Sequence, residues 1–245
     1  MYIFGDIGNS ETKVFLVNSK NKIIRNTNFS SKKMNDKVLN QKFRYLVRDF
    51  KSINKILFCS VVPKSFNLIK KFLSKKIKKR CYEIKDLKLR QLINIKVNFK
   101  QVGSDRLTNA ISLLNKKDNF IILDFGTATT FDVVLKNRYK GGIIAPGVNL
   151  SLKTLVEKAK LIPNTKLTKI KDIIGKNTQN AVRSGFYWGY QGLIENIINM
   201  IERETKKRYN IIFTGGLSDL YKHSIKKAIR VNKDLTIKGL LKLID

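Results

Sequence analysis

The chain contains the same local pattern twice, and this repeat constrains its fold more than any other feature. Residues 2–17 read YIFGDIGNSETKVFLV, and residues 120–135 read FIILDFGTATTFDVVL. In both stretches an apolar run ends in Asp, one residue, Gly and a small polar tip, and a second apolar run follows. Two apolar runs of strand length around a Gly-containing tip predict a β-hairpin. Two such hairpins in one chain indicate a duplicated domain.

The elements after the first hairpin are predicted in the order strand, helix, strand, helix. The third strand is expected at 22–29 and a helix at about 35–50, before the apolar run KILFCSVVP. A second helix is expected at about 64–79, and GSDRLTNAISLLNKK, residues 103–117, has apolar residues at helical spacing behind a Ser/Asp cap.

The second hairpin is followed by a similar order of elements. A third strand runs through GGIIAPG, helices are expected at about 149–160 and 178–206, and the strand YNIIFTGG precedes a last helix. This order predicts an α/β fold of two duplicated halves with a cleft between them. We place the domains at 1–117 and 118–245.

The high positive charge is a feature of composition more than of one site. The net charge is +32 and the pI is about 10.2, which ordinarily indicates a polyanionic partner. Lys far outnumbers Arg, however, and Ile and Asn are frequent throughout. The densest run, KKFLSKKIKKR at 70–80, predicts an amphipathic helix with a solvated basic face. With no stacking-aromatic or helix-turn-helix pattern, we expect no nucleic-acid partner.

Several protein classes are excluded by what the sequence lacks. No apolar run approaches the roughly 18 residues of a membrane helix and no charged leader is visible, so we expect a cytoplasmic protein without membrane contact. Cys59 and Cys81 cannot form a disulfide framework, and Cys59 is expected in a buried strand. The single histidine, His223, lies in the Lys-rich stretch YKHSIKK and is expected at the surface, which argues against a Ser-His-Asp hydrolase. P-loop and dinucleotide glycine motifs are also absent.

The polar tips of both hairpins suit a phosphate chain. Glycine lets backbone N–H groups approach anionic oxygens, a carboxylate holds magnesium directly or through water, and lysine spreads negative charge. The first tip supplies Asp6, Gly8, Asn9, Ser10 and Lys13, and the second supplies Asp124, Gly126, Thr127, Thr129 and Thr130. One such tip is ordinary hairpin chemistry. Two equivalent tips favour a functional interpretation.

A third polar element, Thr214-Gly215-Gly216, ends a strand and precedes a helix, where bare backbone lets a flat nucleoside lie close. In this order the three elements resemble the nucleotide-binding plan of the actin, hexokinase and acetate-kinase superfamily. That resemblance implies two actin-like (ribonuclease H-like) domains with ATP in the cleft between them.

A narrower resemblance rests on motifs along nearly the whole chain. The motifs are DIGNSETK, GSDR, DFGTATTFD, GGIIAPG with the downstream AKLIP, NTQNAVRSGFYWG and TGG. Their order and spacing are similar to those of the bacterial type III pantothenate kinases. The resemblance implies ATP-dependent phosphorylation of pantothenate, the first committed step of coenzyme A synthesis, by a homodimer that needs a monovalent cation.

The resemblance also implies roles for individual residues. The stretch from Asp6 to Lys13 resembles the ATP phosphate loop, and Thr127, Gly126, Gly215 and Gly216 fall on further ATP contacts. The stretch Gly103-Ser104-Asp105-Arg106 resembles the pantothenate loop, with Asp105 as the base. A carboxylate can accept the hydroxyl proton as phosphoryl transfer proceeds, and a guanidinium such as that of Arg106 can clamp a carboxylate through two hydrogen bonds.

Three further positions complete the expected site. Asp124 resembles the ligand of a potassium or ammonium ion, and Thr178 resembles a substrate-binding Thr, although a helix N-cap is an alternative for it. Asp132 either supports the phosphates or faces solvent. The cap alternative also applies to Ser104 and Asp105, with Arg106 then a surface charge.

Two other functions stay open at this stage. The family typically has a Tyr and a Pro before the GSDR element, whereas KVNFKQVG has neither, with Phe99 nearby. A kinase acting on another small hydroxy acid is therefore an alternative. A nucleic-acid-associated regulator is the other, but such a protein would have no physical need for Asp6, Asp105 and Asp124, which would repel a polyanion.

Overall fold

The computed structural model describes residues 1–115 and 117–244, which group into two compact units. The first unit comprises Met1–Leu114 with the segment that begins at Asp234, and the second comprises Asn115–Lys233. The predicted domain limits, 1–117 and 118–245, stay a prediction. The segment that begins at Asp234 packs with the first unit, although it follows the second unit in sequence.

The first unit is a five-stranded sheet with helices. Its strands lie in the order β3-β2-β1-β4-β5, where β1, β2 and β3 are antiparallel and β1, β4 and β5 are parallel. Its strands are β1 Tyr2–Ile7, β2 Glu11–Val17, β3 Ile23–Ser30, β4 Lys55–Ser60 and β5 Cys81–Glu83, and the short strand β6 Asn94–Ile95 follows. Its helices are α1 Asp36–Leu46, α2 Pro63–Ser74, α3 Ser104–Ser112 and α7 Leu235–Leu241.

The second unit repeats this plan. Its strands lie in the order β9-β8-β7-β10-β11, again antiparallel for the first three and parallel for the last three. The strands are β7 Asn119–Phe125, β8 Ala128–Leu135, β9 Arg138–Pro146, β10 Asn210–Gly215 and β11 Ile229–Val231. The helices are α4 Val148–Lys158, α5 Thr178–Thr205 and α6 Ser218–Tyr221. The predicted duplicated α/β fold is thereby confirmed.

Each unit has its own apolar core. In the first, buried side chains of β1 and β4 pack with those of α1 and α2, including Leu39, Phe43 and Phe66. In the second, β7 and β10 pack with α5, and Phe125, Tyr187 and Tyr221 stack there. The alternation of buried and exposed residues in β2 reflects a sheet with one covered face, whereas β4 is buried almost throughout.

Helix α7 holds α3 in place within the first unit. A Cβ at Gly239 would lie 2.0 Å from the carbonyl oxygen of Thr108, so only glycine permits this approach. Thr236 Oγ1 donates to Asn109 Oδ1 at 2.9 Å, and Lys55 Nζ donates to the carbonyl of Leu243 at 2.8 Å. The end of the chain therefore supports the helix that begins at the GSDR element.

Some predicted elements differ from the observed ones. Helix α2 ends at Ser74 rather than near residue 79, yet Ile77 is still buried. The sequence pattern missed β11, because its three residues lack a strand-length apolar run. Cys59 is buried and His223 is exposed, as expected. In the part of the chain that the structure describes, no helix has the length and apolar character needed to cross a bilayer.

Candidate active site

The first hairpin turns at its polar tip as predicted. Gly8 N donates to the carbonyl of Glu11 at 3.0 Å, and Ser31 N donates to the carbonyl of Ser10 at 3.0 Å. Lys13 Nζ lies 3.7 Å from Glu11 Oε2, and both side chains are about half exposed. The ammonium group therefore remains accessible to an anionic ligand at this tip.

The charges of Asp6 and Asp105 both act on one buried residue, Cys59. Strand β1 runs parallel to β4, and Asp6 is the register partner of Cys59. Burial is the main reason why the pKa of the Cys59 thiol is raised. The negative charges of Asp6 and Asp105 raise this pKa further. The first unit therefore brings the end of the first hairpin strand and the start of α3 to the same place.

The carboxyl group of Asp105 is in a desolvated environment. Burial raises its pKa above the ordinary value of 3.8, while the backbone N–H and the charge of Arg106 lower it in part. Arg106 N donates to Asp105 Oδ1 at 2.8 Å. A carboxylate with a raised pKa is a stronger base than a solvated one.

The GSDR element does not cap α3 in the usual way. The helix begins at Ser104 with Gly103 as N-cap, and no side chain makes a cap hydrogen bond. Ser104 is buried, and its carbonyl accepts from Thr108 Oγ1 at 2.8 Å. A Cβ at Gly103 would collide with the Asp105 carboxylate. The alternative in which Ser104 or Asp105 serves only as a helix cap is therefore wrong.

The second hairpin brings Asp124 against Gly215. A Cβ at Gly215, which has φ of +84°, would lie 2.6 Å from Asp124 Oδ1, and one at Gly126 would lie 3.9 Å from the same atom. Gly216 N donates to the carbonyl of Phe125 at 3.1 Å. In the second unit, the predicted phosphate tip and the Gly-Gly element are therefore adjacent.

Backbone oxygens lie on the other side of this tip. A Cβ at Gly147 would come within 2.7 Å of the carbonyl oxygen of Gly126 and even closer to that of Thr127. The Thr127 side chain is exposed, whereas Thr129 is fully buried and so offers no hydroxyl to a ligand.

The Asp124 carboxylate and the carbonyl oxygens of Gly126 and Thr127 are the candidate ligands for a potassium or ammonium ion. A carboxylate and nearby carbonyls are hard oxygen donors and fit a monovalent cation. Among the described residues, no group of three or more His, Cys, Asp or Glu could enclose a metal. A magnesium ion in this protein would then be held by one carboxylate together with phosphate oxygens, which is usual for nucleotide-bound Mg²⁺.

Asp132 is a buried acceptor rather than a solvent-facing residue. Its Oδ1 accepts from Tyr139 Oη at 2.5 Å, and Thr130 Oγ1 lies 3.4 Å from Oδ2. It is fully buried in β8 between β7 and β9. The solvent-facing alternative for Asp132 is wrong, because residues 131–134 of β8 are all buried, on both faces of the strand.

Thr178 is the first residue of α5, and the N-cap is its neighbour Asn177, whose Oδ1 accepts from Asn180 N at 2.9 Å. The N-cap alternative for Thr178 is therefore wrong. Its side chain is exposed and does not serve as the N-cap of the helix.

Two residues next to the first-unit site were not expected from sequence. Glu83 ends β5, and its Oε1 accepts from Ser60 N at 3.3 Å. Its negative charge contributes to the raised pKa of Cys59. Lys85, two residues later, acts electrostatically on Asp105. Parallel neighbours in a sheet bring such distant positions together, and no local motif marks them.

The comparisons with known proteins define first a fold and then a family. The chain superposes on a Campylobacter jejuni protein provisionally described as a Baf family transcriptional activator, with TM-score 0.65, 19% identity and coverage of 99% and 96% of the two chains. It also superposes on a ROK family protein from Streptococcus pneumoniae, with TM-score 0.53, 11% identity and coverage of 99% and 96%. These likenesses show a two-domain actin-like fold.

Sequence comparison is more specific. A family model described as type III pantothenate kinase matches residues 2–200. A type III pantothenate kinase of Pelagibacter ubique is 60% identical over 99% of this chain and 98% of its own length. Another, from Sulfurihydrogenibium sp., is 37% identical over 98% of each chain. The chain belongs to the type III pantothenate kinase family, and the resemblance drawn from the motifs is confirmed.

Proposed function

We propose that this protein transfers the γ-phosphoryl group of ATP to the hydroxyl of pantothenate, giving 4'-phosphopantothenate in the first step of coenzyme A synthesis. The observation that carries the proposal is that the charges of Asp6, the register partner of Cys59, and of Asp105 both act on Cys59, in a chain of this family. A base for an alcohol and a carboxylate for a magnesium–phosphate complex are both needed for this reaction.

In the first unit, the hairpin tip binds the ATP phosphates. Gly8, Asn9 and Ser10 offer donors, and the half-exposed Lys13 neutralises charge. Asp6 holds magnesium directly or through water, and that ion, when bound, neutralises charge on the phosphate oxygens.

The pantothenate hydroxyl gives its proton to Asp105. Burial keeps the pKa of this carboxyl above its ordinary value, so the carboxylate attracts the proton more strongly as the hydroxyl oxygen attacks phosphorus. Gly103 and Ser104 shape the loop around the base, and Arg106 binds the substrate carboxylate. Thr178 is the further substrate contact.

In the second unit, Gly126, Thr127, Gly215 and Gly216 contact ATP. Gly215 and Gly216 leave backbone bare beside Asp124, which suits a flat nucleoside. Asp124 with neighbouring carbonyl oxygens binds a potassium or ammonium ion. Asp132 is buried in β8 and supports the phosphate-binding hairpin through its hydrogen bond with Tyr139 of β9.

The active form is a homodimer in the cytoplasm. Seven of the exposed large apolar side chains lie in the second unit on β9, on α4 and in the segment that follows α4. They are Ile143, Ile144, Leu150, Leu155, Leu161, Ile173 and Ile174. Such surface is disfavoured in water and favours burial against a second copy. Sedimentation of the wild type as a dimer and of Ile144→Lys as a monomer would agree with this proposal, whereas a monomeric wild type would contradict it.

The substrate is tested by coupled ADP release with magnesium and potassium. We expect turnover that depends on pantothenate and falls sharply when sodium replaces potassium. Turnover with another small hydroxy acid but not with pantothenate would assign a different substrate. Equal rates in sodium and potassium would contradict the role given to Asp124.

A further inference from the structure

Lys85 has a backbone position fixed by a capping box. It lies in the 3-10 turn Ile84–Asp86, where Lys85 N donates to Glu83 Oε2 at 2.8 Å and Glu83 N donates to Asp86 Oδ2 at 3.1 Å. Glu83 is also bonded to Ser60 N, at the end of β4. The base of the Lys85 side chain is therefore tied to the strand that carries Cys59.

The Lys85 side chain reaches the segment before Gly103. Its Nζ donates to the carbonyl of Lys100 at 3.3 Å and lies 5.7 Å from the centre of the Phe99 ring. The guanidinium of Arg90 lies 5.8 Å from the same ring. Two cations thus lie within cation–π distance of one aromatic ring.

Lys85 also acts on the base. Its charge lowers the pKa of Asp105, in opposition to the effect of burial. Segment 96–102 lies directly before Gly103, so the residue that holds this segment also places a positive charge near the carboxylate.

We propose that Lys85 is a positioning residue for Asp105: it anchors segment 96–102 through Phe99 and the Lys100 carbonyl, and it keeps a cation beside the base. The catalytic part of this inference rests on the proposed function. The anchoring part does not, because it concerns the free protein.

The test uses Lys85→Met, which keeps an unbranched side chain and removes the charge and the donor. Lys85→Arg is the conservative variant, and Lys88→Met, at an exposed lysine three residues further on, is the matched control. Thermal unfolding first establishes that each variant is folded.

Hydrogen–deuterium exchange on the free protein measures anchoring. Lys85→Met should speed amide exchange in residues 97–102, while Lys85→Arg and Lys88→Met should exchange like the wild type. The pH dependence of kcat/KM for pantothenate measures the effect on the base. Loss of the cation should move the acid limb to higher pH, because the Lys85 charge lowers the pKa of Asp105, and it should raise KM for pantothenate about three- to ten-fold.

Unchanged exchange in Lys85→Met would overturn the anchoring, and an unchanged acid limb would overturn the action on Asp105. Equal effects in Lys88→Met would overturn both, since they would then reflect charge in general. If the wild type shows no pantothenate-dependent turnover, the proposed function fails, and the exchange result alone decides whether Lys85 anchors the segment.

Discussion

At the scale of single residues, Asp105 combines a cost in stability with a gain in basicity. Burial disfavours its charged form, and Arg106 offsets only part of that effect. Because the folded-state pKa is raised above the ordinary value, the native state binds the proton more tightly than the unfolded chain. The resulting loss of stability is largest above the folded pKa and disappears as the pH falls toward the ordinary carboxyl range.

Asp105→Asn is therefore expected to raise the melting temperature while removing activity. The amide keeps an acceptor for Arg106 N but carries no charge, and a gain of about 1 kcal/mol corresponds to about 2–4 °C in a chain of this size. Scanning calorimetry at neutral and acidic pH should show the gain shrinking in acid. Asp172→Asn, at an exposed site, is the control, and a lower melting temperature for Asp105→Asn at neutral pH would contradict this account.

Tyr139→Phe tests the structural role of Asp132. Removal of the hydroxyl takes a donor from a fully buried carboxyl group and should lower the free energy of unfolding by about 1–3 kcal/mol. Urea titration measures the change, with Tyr45→Phe at an exposed position as the control. A Tyr139→Phe variant as stable as the wild type would show that this hydrogen bond is dispensable.

Local motifs predicted the residues that act within one stretch and missed those joined by tertiary structure. Asp6 and Asp105 were visible because each belongs to a distinctive tip or loop. Glu83 and Lys85 were not, because their nearness to the base arises from the parallel pairing of β4 with β5. The sequence left a solvent-facing alternative for Asp132 because it does not show that both faces of β8 are buried around this residue.

At the scale of elements, the junction of β10 and α6 depends on glycine at one of two adjacent positions. Gly215 has φ of +84° and lies against Asp124 and the Phe125 backbone, whereas a Cβ at Gly216 would meet nothing within 4 Å. Only the first position thus requires glycine for folding.

Gly215→Ala should lower the free energy of unfolding of the nucleotide-free protein by about 1–3 kcal/mol, and Gly216→Ala should leave it nearly unchanged. Denaturant titration of both variants provides the comparison. Equal losses in the two variants would contradict the geometry described for this junction.

The helices and strands themselves were mostly predictable. Apolar residues recur at helical spacing in α1, α2 and α3, and β1 and β7 are apolar runs of strand length. Short elements were not: β6 and β11 contain two and three residues, too few for a periodic signal. The attachment of α7 to α3 is a tertiary contact made possible by Gly239, and sequence spacing gives no sign of it.

At the scale of the whole molecule, duplication explains most of the architecture. Both units build the same strand order around an Asp-x-Gly hairpin, and each then adds its own loop: the GSDR element in the first and the Gly-Gly element in the second. The net charge of +32 is spread over the chain and is not needed to explain the proposed chemistry.

The most direct test of the central claim is a single-turnover experiment with wild-type protein and Asp105→Asn, in which ³¹P NMR follows ATP and pantothenate while calorimetry measures ATP binding. We predict that the wild type forms 4'-phosphopantothenate and that Asp105→Asn binds ATP with similar affinity but forms product at least about 100-fold more slowly. Product formation by Asp105→Asn at the wild-type rate would contradict the assignment of the base. The absence of product from a wild-type protein that binds ATP would contradict the proposed substrate.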